Sequence, residues 1–267
     1  MSERPSSDTW AQGSPYERYM GRWSRQVAPR FLSWLNVPGG QRWLDVGCGT
    51  GALCAAILDQ CAPTSVTGVE PSEGFLNTAK SCLSGRATFQ QGGATSIPLG
   101  NAAVDVVVSG LVLNFVPDQQ AALFEMKRVA SSGGTIAHYV WDYSGRMELL
   151  RHFWNLAAEF DADAAKLDEG VRFPICHPEA LEKLFAAAGL EDVEVTAIDV
   201  PTLFGSFDDY WQPFMGGQGP APTYAMSLGP TARARLRDGL RERLPISADG
   251  SISLTARAWA IRAITAP

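Results

Sequence analysis

The stretch RWLDVGCGTGAL, residues 42–53, decides the fold of this 267-residue chain. A short apolar run, Trp43–Val46, meets three glycines at alternate positions, Gly47, Gly49 and Gly51, and a helix-forming segment follows. Because glycine lacks a Cβ, such a turn adopts unusual backbone angles and lets a ligand approach N–H groups at a helix start. We therefore expect a ligand-binding turn between the first strand and the first helix of an α/β sheet.

Short β-branched runs alternate with helical segments after this turn, which indicates right-handed βαβ units and a mainly parallel sheet. The predicted strands are 42–46, 65–70, 86–90, 103–109, 134–141, 191–199 and one within 251–264. The predicted helices are 51–60, 73–83, 118–130, 146–165 and 178–188, with one or two more before the first strand. Residues 202–245, rich in Gly, Pro and aromatics, predict an insertion before the last strand.

The composition is that of an ordinary globular protein, with 46% hydrophobic and 19% charged residues. A net charge of −6 and a pI of about 5.1 argue against a surface that neutralises many phosphates, so we expect no nucleic-acid partner. The five cysteines include no C-x-x-C pair, and their odd number favours a reduced compartment. We find no signal-peptide pattern and no apolar run of membrane-spanning length, and therefore predict a cytoplasmic protein without a membrane partner.

The glycine turn by itself is compatible with more than one cofactor. The spacing from Gly47 to Ala52 also satisfies the dinucleotide fingerprint G-x-G-x-x-G/A. Asp45, inside the strand, would repel a pyrophosphate but suit a cationic ligand. Glu70 ends the second strand, where a carboxylate accepts hydrogen bonds from both ribose hydroxyls, but enzymes that use NAD share this feature. The choice of cofactor stays open on these residues alone.

Four stretches resemble one family in order and spacing over roughly residues 40–142. They are WLDVGCGTGAL, VTGVEPSEGFLNTAK, GGATSIPLGNAAVDVVVSGLVLNFVPD and ALFEMKRVASSGGTIAHYVWD. The chain resembles the class I S-adenosylmethionine-dependent methyltransferases, in particular their small-molecule UbiE-like branch, methyltransferase type 11. The resemblance implies a doubly wound, Rossmann-like sheet of seven strands, mostly parallel with an antiparallel last strand. It also implies one methyltransferase domain over residues 1–267, with an N-terminal helical lid in 1–40 and a cap insertion in 202–245.

The same resemblance implies S-adenosylmethionine as cofactor and a set of residues around it. The turn backbone would lie against the methionine part, with Asp45 supporting the turn and Glu70 holding the ribose. The implied cofactor-binding residues are Tyr16, Arg22, Asp45, Gly47, Cys48, Gly49, Gly51, Glu70, Pro71, Ala94, Thr95 and Ser109. This chain departs from the family at Gly93, where an Asp usually meets the adenine amino group, so backbone contacts and Ile97 would hold adenine here.

Methyl transfer from a sulfonium needs only in-line placement of a nucleophile and exclusion of water, so we expect no metal site. Aromatic residues cluster after the fifth strand and in the insertion, where they would cover the cofactor and favour a small, apolar or aromatic acceptor. The residues predicted to contact it are Tyr16, Met20, Trp141, Tyr143, Trp154 and Trp211. The candidates for a base are His138, Asp142 and Tyr143, although each also has a structural interpretation.

Two rivals remain open at this point. One is an NAD-dependent oxidoreductase, because the glycine fingerprints overlap, although the chain has no Tyr-x-x-x-Lys pair. The other is a catalytically silent, cofactor-binding regulatory protein, which the unusual Gly93 supports. The sequence predicts neither the oligomeric state nor the atom that is methylated.

Overall fold

The computed structural model describes residues 20–217 and 219–266. Seven strands form one sheet, and they are β1 (Arg42–Val46), β2 (Ser65–Glu70), β3 (Thr88–Gln91), β4 (Val104–Gly110), β5 (Ala130–Trp141), β6 (Glu191–Phe204) and β7 (Ile252–Ile264). Their order across the sheet is β3-β2-β1-β4-β5-β7-β6. Strand β1 pairs in parallel with β2 and β4, whereas β7 runs antiparallel to β5. The predicted seven-stranded, mostly parallel sheet with an antiparallel last strand is confirmed.

Helices connect these strands at nearly the predicted places. They are α1 (Arg22–Leu35), α2 (Ala52–Gln60), α3 (Glu73–Cys82), α4 (Gln119–Val129), α5 (Glu148–Phe160), α6 (Glu169–Arg172), α7 (Pro178–Ala187), α8 (Phe207–Trp211), α9 (Pro220–Ser227) and α10 (Pro230–Arg243). Short 3-10 turns occupy Leu113–Phe115, Ala164–Lys166 and Gln212–Gly216. None of the helices within the described ranges is both long and apolar enough to cross a membrane.

The predicted helix over 146–165 is shorter than expected, because α5 ends at Phe160. Asp161 takes an extended backbone with φ −147° and ψ 107°, and its carboxylate accepts a hydrogen bond from the Asp163 N–H at 2.9 Å. Aspartate often makes such a local turn, which competes with the helical ladder. The chain therefore leaves the helix there and resumes with a 3-10 turn.

The centre of the sheet is formed by β1 and β4, whose consecutive residues are buried as expected for strands covered on both faces. Trp43, Leu44 and Val46 on β1 and Val106–Val108 on β4 are all 1% exposed or less. The chain runs outward from β1 to β3 and then returns to β4 on the other side of β1. The carboxyl ends of β1 and β4 thus flank the point where strand order reverses, which is where ligands bind in such sheets.

The chain falls into two compact units. The first, which we call the sheet unit, comprises Trp23–Asp142, Phe173–Val200 and the described residues from Arg257 onward, and it carries the glycine turn. The second, which we call the helical unit, comprises Tyr143–Arg172 and Pro201–Ala256 together with residues 20–22 of its N-terminal part. The single domain with a lid in 1–40 and a cap in 202–245 stays a prediction.

Candidate active site

The glycine turn leaves β1 with a backbone that only glycine adopts easily. Gly47 has φ 74° and Gly51, which precedes α2, has φ 88°, both in the left-handed region. A Cβ on Gly47 would lie 2.6 Å from a methyl carbon of Val112, so the loop after β4 packs directly on this turn. A Cβ on Gly49 would meet no atom of the described residues within 4 Å. The turn is closed on the Val112 side and open at Gly49.

Glu70 lies at the end of β2 with its carboxylate fixed against the turn. Its Oε2 accepts a hydrogen bond from the Gly49 N–H at 3.1 Å, and its Oε1 accepts one from the Ser72 N–H at 2.9 Å. Burial raises the pKa of Glu70, while these two hydrogen bonds act in the opposite direction. The side chain is therefore oriented before any ligand arrives.

Asp45 is the second carboxylate at the turn, and it is almost fully buried in β1. The Cys54 thiol donates to its Oδ2 at 3.3 Å. The pKa of Asp45 is raised to about 7, mainly by burial; the Cys54 hydrogen bond acts to lower it and the nearby Glu70 acts to raise it. A positive ligand would favour the ionised form of this group.

Cys48 and Ser109 shape the turn from within the sheet unit. The Cys48 sulfur would lie 2.7 Å from a Cβ on Gly68, so the neighbouring strand must carry a glycine there. The Ser109 hydroxyl donates to the Val46 carbonyl at 2.7 Å and ties the end of β4 to the end of β1. The Ser109 hydroxyl proton is therefore already used within the sheet, and the predicted contact of Ser109 with the cofactor stays a prediction.

The loop after β3 contains the predicted adenine contacts. Ala94 is half-buried and Thr95 is exposed, as is Pro71, which lies elsewhere, directly after β2. A Cβ on Gly93 would touch nothing within 4 Å in the described part of the chain. Ile97 is buried, and Arg128 and Glu125 on α4 hold its backbone: Nη2 of Arg128 donates to the carbonyl at 3.0 Å, and the Ile97 N–H donates to Oε2 of Glu125 at 3.0 Å. The loop is anchored at one end and has room at Gly93.

His138 on β5 is enclosed within the sheet unit. It is fully buried, and its ring meets the edge of Phe185 at a centroid distance of 4.7 Å. Burial lowers the pKa of His138 to about 3, so the imidazole is neutral. Neither ring nitrogen has a hydrogen-bond partner among the described residues. This placement argues against the predicted role of His138 as a base.

The other two predicted residues of β5 and its end are also buried. Trp141 is 1% exposed, and Asp142 donates its backbone N–H to the Arg257 carbonyl at 2.9 Å. Within the sheet unit, the structure thus groups Asp45, the glycine turn, Glu70 and Ser109 at one edge.

The remaining predicted residues belong to the helical unit, and the structure gives several of them partners inside that unit. Arg22, predicted to bind the cofactor, forms an ion pair with Asp209, with Nη1 3.0 Å from Oδ1, and lies over the Phe204 ring. The indole N–H of Trp154 donates to the Glu169 carboxylate. Met20, Tyr143 and Trp211 are buried. Tyr16 lies outside the described residues.

Two buried polar residues are not among the predicted site residues. Asn114, in the 3-10 turn after β4, is 6% exposed. Glu169 is buried in the helical unit, where burial raises its pKa to about 7. The position of Asn114 shortly after a strand that ends at the turn was a signal that could have found it. No local pattern marks Glu169.

Comparison with known proteins points to one class. Residues 44–138 match the family model described as "Methyltransferase domain". The chain is 29% identical over 192 residues to a demethylmenaquinone methyltransferase of Geobacillus stearothermophilus, covering 65% of this chain and 79% of the relative. It is 34% identical over 110 residues to the demethylmenaquinone methyltransferase of Staphylococcus aureus, covering 40% of this chain and 46% of the relative, so this match spans about half of that protein.

A solved structure of known class shares the fold. It is phosphoethanolamine N-methyltransferase 2 of Haemonchus contortus in complex with S-adenosyl-L-methionine, with a TM-score of 0.60 and 16% identity. The alignment covers 98% of this chain and 58% of that chain. At this identity the likeness shows the fold alone.

The sheet order, the open glycine turn and the family model together define a methyltransferase. The family model, the relatives and the shared fold support a class I S-adenosylmethionine-dependent methyltransferase, with S-adenosylmethionine as its cofactor. The matches do not support the rival interpretation as an NAD-dependent oxidoreductase.

Proposed function

We propose that this enzyme transfers the methyl group of S-adenosylmethionine to an O, N or C atom of a small, apolar or aromatic acceptor by direct in-line displacement. The observation that carries the proposal is the pair of buried carboxylates, Asp45 and Glu70, beside a glycine turn that is open at Gly49. When bound, the cofactor supplies a methyl group on a positively charged sulfur.

The residues at the turn fit this cofactor in charge and shape. Two carboxylates favour a ligand with positive groups and would repel the two phosphates of a dinucleotide. Glu70, already oriented by the Gly49 and Ser72 N–H groups, can accept hydrogen bonds from two ribose hydroxyls. The absence of a side chain at Gly49 gives the ligand access to the backbone.

We assign the rest of the cofactor contacts to the neighbouring loops of the sheet unit. The backbone of Gly47, Cys48 and Gly51 would face the methionine part, and Ser109 would offer its backbone. Pro71, Ala94 and Thr95 would border the nucleoside, with Ile97 as the apolar contact for adenine. The side chains that hold the cofactor thus also help to exclude water from the reacting sulfur.

The acceptor is inferred from the relatives and from the composition of the helical unit. The curated relatives described above carry the name demethylmenaquinone methyltransferase. Reduced demethylmenaquinone is therefore the first acceptor to test. Asp142 and Tyr143 remain the candidates for a proton acceptor, and Trp141, Trp154 and Trp211 the candidates for apolar contacts.

We also propose that the enzyme works in the cytoplasm on a small molecule. All five cysteines are free thiols in the structure, and two of them, Cys48 and Cys54, lie at the cofactor turn. A reducing compartment keeps such thiols intact.

Isothermal titration with S-adenosylmethionine and S-adenosylhomocysteine tests the cofactor site. We expect Glu70→Gln to weaken binding about 10- to 100-fold, because it removes a charged hydrogen-bond acceptor. Glu73→Gln, an exposed neighbour in the first turn of α3, is the matched control and should bind like wild type.

Transfer of a labelled methyl group to reduced demethylmenaquinone then tests the reaction. Binding of S-adenosylhomocysteine without transfer to this or any screened acceptor would favour a silent regulatory protein. Binding of NADH in place of S-adenosylhomocysteine would refute the proposal.

A further inference from the structure

The two carboxylates at the glycine turn are stabilised to different degrees. Glu70 accepts hydrogen bonds from two backbone N–H groups, those of Gly49 and Ser72. Asp45 is 1% exposed, and the groups that donate to it within the described residues belong to Cys54: the thiol sulfur lies 3.3 Å from Oδ2, and the backbone N–H adds a weaker contribution. A thiol is a weak donor. Before a ligand binds, the anion of Asp45 is therefore stabilised less than that of Glu70.

Cys54 is in the first turn of α2, and its side chain is fully buried. Its contact with the Cys48 thiol, together with burial and the charge of Asp45, raises the pKa of the Cys54 thiol. The sulfur therefore keeps its proton at neutral pH and acts as a hydrogen-bond donor. Because Cys48 is the residue between Gly47 and Gly49, Cys54 contacts both the buried acid and the glycine turn.

The titratable groups that face Asp45 are Cys54 on α2, Cys48 in the turn and Glu70 on β2. The Cys48 sulfur lies over Gly68, the partner of Asp45 on β2, and the partner on β4 is Val108. Burial is the main factor that raises the pKa of Asp45, and the negative charge of Glu70 acts in the same direction. These surroundings favour the protonated acid, whereas a ligand cation beside it would favour the carboxylate.

We propose that Cys54 is a positioning residue for the cofactor, and that cofactor binding releases one proton from the Asp45–Cys54 pair to the solvent. The thiol orients Asp45 at the turn without stabilising its charge as strongly as backbone N–H groups stabilise Glu70. The ammonium group of the cofactor then pairs with the carboxylate that remains after the O–H bond of Asp45 has broken, and the thiol keeps its own proton. This inference rests on the proposed function, because it needs the cofactor at the glycine turn.

Proton release makes the affinity for the cofactor depend on pH. With a pKa of about 7, Asp45 carries its proton in about half of the free molecules at pH 7. We therefore expect the Kd of S-adenosylhomocysteine to be about tenfold higher at pH 6 than at pH 8, because at pH 6 most free molecules must first lose the proton. Isothermal titration at pH 7 in phosphate and in Tris, whose ionisation enthalpies differ, counts the released protons, and we expect about 0.5 per ligand bound.

Two substitutions at Cys54 change the hydrogen bond to Asp45 in opposite directions. Cys54→Ser gives a stronger donor, which lowers the pKa of Asp45 in the free protein, so the ratio of the Kd at pH 6 to the Kd at pH 8 should fall to about twofold. Cys54→Ala removes the donor, which raises that pKa, so the ratio should rise to about 30-fold or more. A residue needed only for packing would change both Kd values alike and leave the ratio at about tenfold. Serine is close in volume to cysteine, so Cys54→Ser carries the test if Cys54→Ala does not fold.

The controls make the same changes elsewhere or remove one titrating group. Cys82→Ser and Cys82→Ala alter an exposed thiol at the end of α3, and both should keep the Kd and the ratio of wild type. Asp45→Asn has no proton to release, so its ratio should be about 1. Glu70→Gln should bind S-adenosylhomocysteine more weakly than wild type at both pH values, yet still bind it more weakly at pH 6 than at pH 8.

The outcomes separate this inference from the proposed function. If wild type binds S-adenosylhomocysteine equally well at pH 6 and pH 8 and releases no proton, the inference is refuted and the proposed function stands. The same holds if the ratio of Kd values stays at its wild-type value in both Cys54 variants, since the thiol is then structural. If the pH dependence persists in Asp45→Asn and disappears in Glu70→Gln, the proton belongs to Glu70, which also refutes only the inference. Failure of wild type to bind S-adenosylhomocysteine at either pH refutes the proposed function, and the inference with it.

Discussion

The hydrogen bonds of the two carboxylates at the glycine turn span fewer residues along the chain than two hydrogen bonds of the helical unit. In the sheet unit, Glu70 reaches Gly49 across 21 residues and Cys54 reaches Asp45 across 9. In the helical unit, Tyr210 reaches Leu149 across 61 residues and Arg243 reaches Glu159 across 84. Short-range contacts leave a pattern in the sequence, whereas long-range contacts do not. The carboxylates of the cofactor turn are therefore marked locally in the sequence, whereas these contacts of the helical unit, like the hydrogen bond from Ser109 to Val46 across 63 residues at the turn itself, are not.

The two units also differ in their side-chain surroundings. At the glycine turn, carboxylates border an open position at Gly49. In the helical unit, many aromatic side chains contact one another: Phe153 stacks on Phe214 at 4.6 Å, and the Tyr210 hydroxyl donates to the Leu149 carbonyl at 2.9 Å. The aromatic residues that the sequence assigns to an acceptor thus include several that form the unit's own core.

The largest effect on cofactor binding is expected from adding one methyl group to the glycine turn of the sheet unit. Gly47→Ala should weaken S-adenosylhomocysteine binding at least about 100-fold, because the Cβ would lie 2.6 Å from Val112 and the left-handed φ of 74° is strained for alanine. Isothermal titration measures the effect. Gly40→Ala is the control, since its φ of 84° is equally strained but a Cβ there meets no described atom within 4 Å. Wild-type affinity in Gly47→Ala would show that the turn is not the cofactor site.

A matched pair of buried acids tests whether the cofactor depends on one unit only. Asp45 in the sheet unit and Glu169 in the helical unit both have a pKa raised to about 7, mainly by burial. Asp45→Asn should weaken S-adenosylhomocysteine about tenfold by removing a charge beside its ammonium group. Glu169→Gln should leave this affinity unchanged. If isothermal titration shows equal losses of S-adenosylhomocysteine affinity in both variants, the cofactor does not depend on the sheet unit alone.

The same pair predicts a pH dependence of stability. Each folded acid retains its proton between about pH 4 and pH 7, where the unfolded chain has released it, so the free energy of unfolding falls as pH rises through this window. The fall is on the order of 3 to 4 kcal/mol per group at most. Urea unfolding at pH 5 and pH 7.5 should show a smaller fall in either variant than in wild type. If the free energy of unfolding falls as much between pH 5 and pH 7.5 in both variants as in wild type, neither acid is protonated in the native state.

Adding the carboxylate that the family usually carries at position 93 should strengthen cofactor binding. Gly93→Asp places a side chain where a Cβ meets no neighbour within 4 Å in the described ranges. We expect S-adenosylhomocysteine to bind about threefold more tightly, since the adenine amino group gains an acceptor. Gly93→Ala, measured by the same titration, should match wild type. Weaker binding in Gly93→Asp would place the adenine elsewhere.

The smallest effect on the cofactor is expected in the helical unit. Tyr210→Phe removes the hydrogen bond to the Leu149 carbonyl from a fully buried residue, which should cost about 1 kcal/mol of stability and lower the Tm by about 2 to 4 °C. Its S-adenosylhomocysteine affinity should equal that of wild type. A changed affinity at unchanged Tm would assign Tyr210 a role in binding.

The fold could be predicted from the sequence because each βα unit is marked by its own periodicity and turn residues. Element ends were less accurate: the strand expected at 86–90 begins at Thr88, since Arg86 is instead exposed and paired with Asp59 at 2.6 Å. The placement of His138 could not be foreseen, because it depends on Phe185, which packs on it from a distant helix. The partner of Arg22 lies 187 residues away. The burial of Asn114 likewise depends on the fold around it, which periodicity does not describe.

The position of β7 has a consequence for how the protein is made. This strand lies between β5 and β6 and pairs with β5 from Thr135 to Trp141, yet it comes last in the chain. During synthesis on the ribosome, the edge of β5 therefore stays uncovered until residues 252–264 have emerged, whereas the cofactor turn and its strands are complete much earlier. An exposed strand edge is a site for unwanted pairing with other chains. The nascent chain thus completes its glycine turn before the strand that covers the edge of β5 is made.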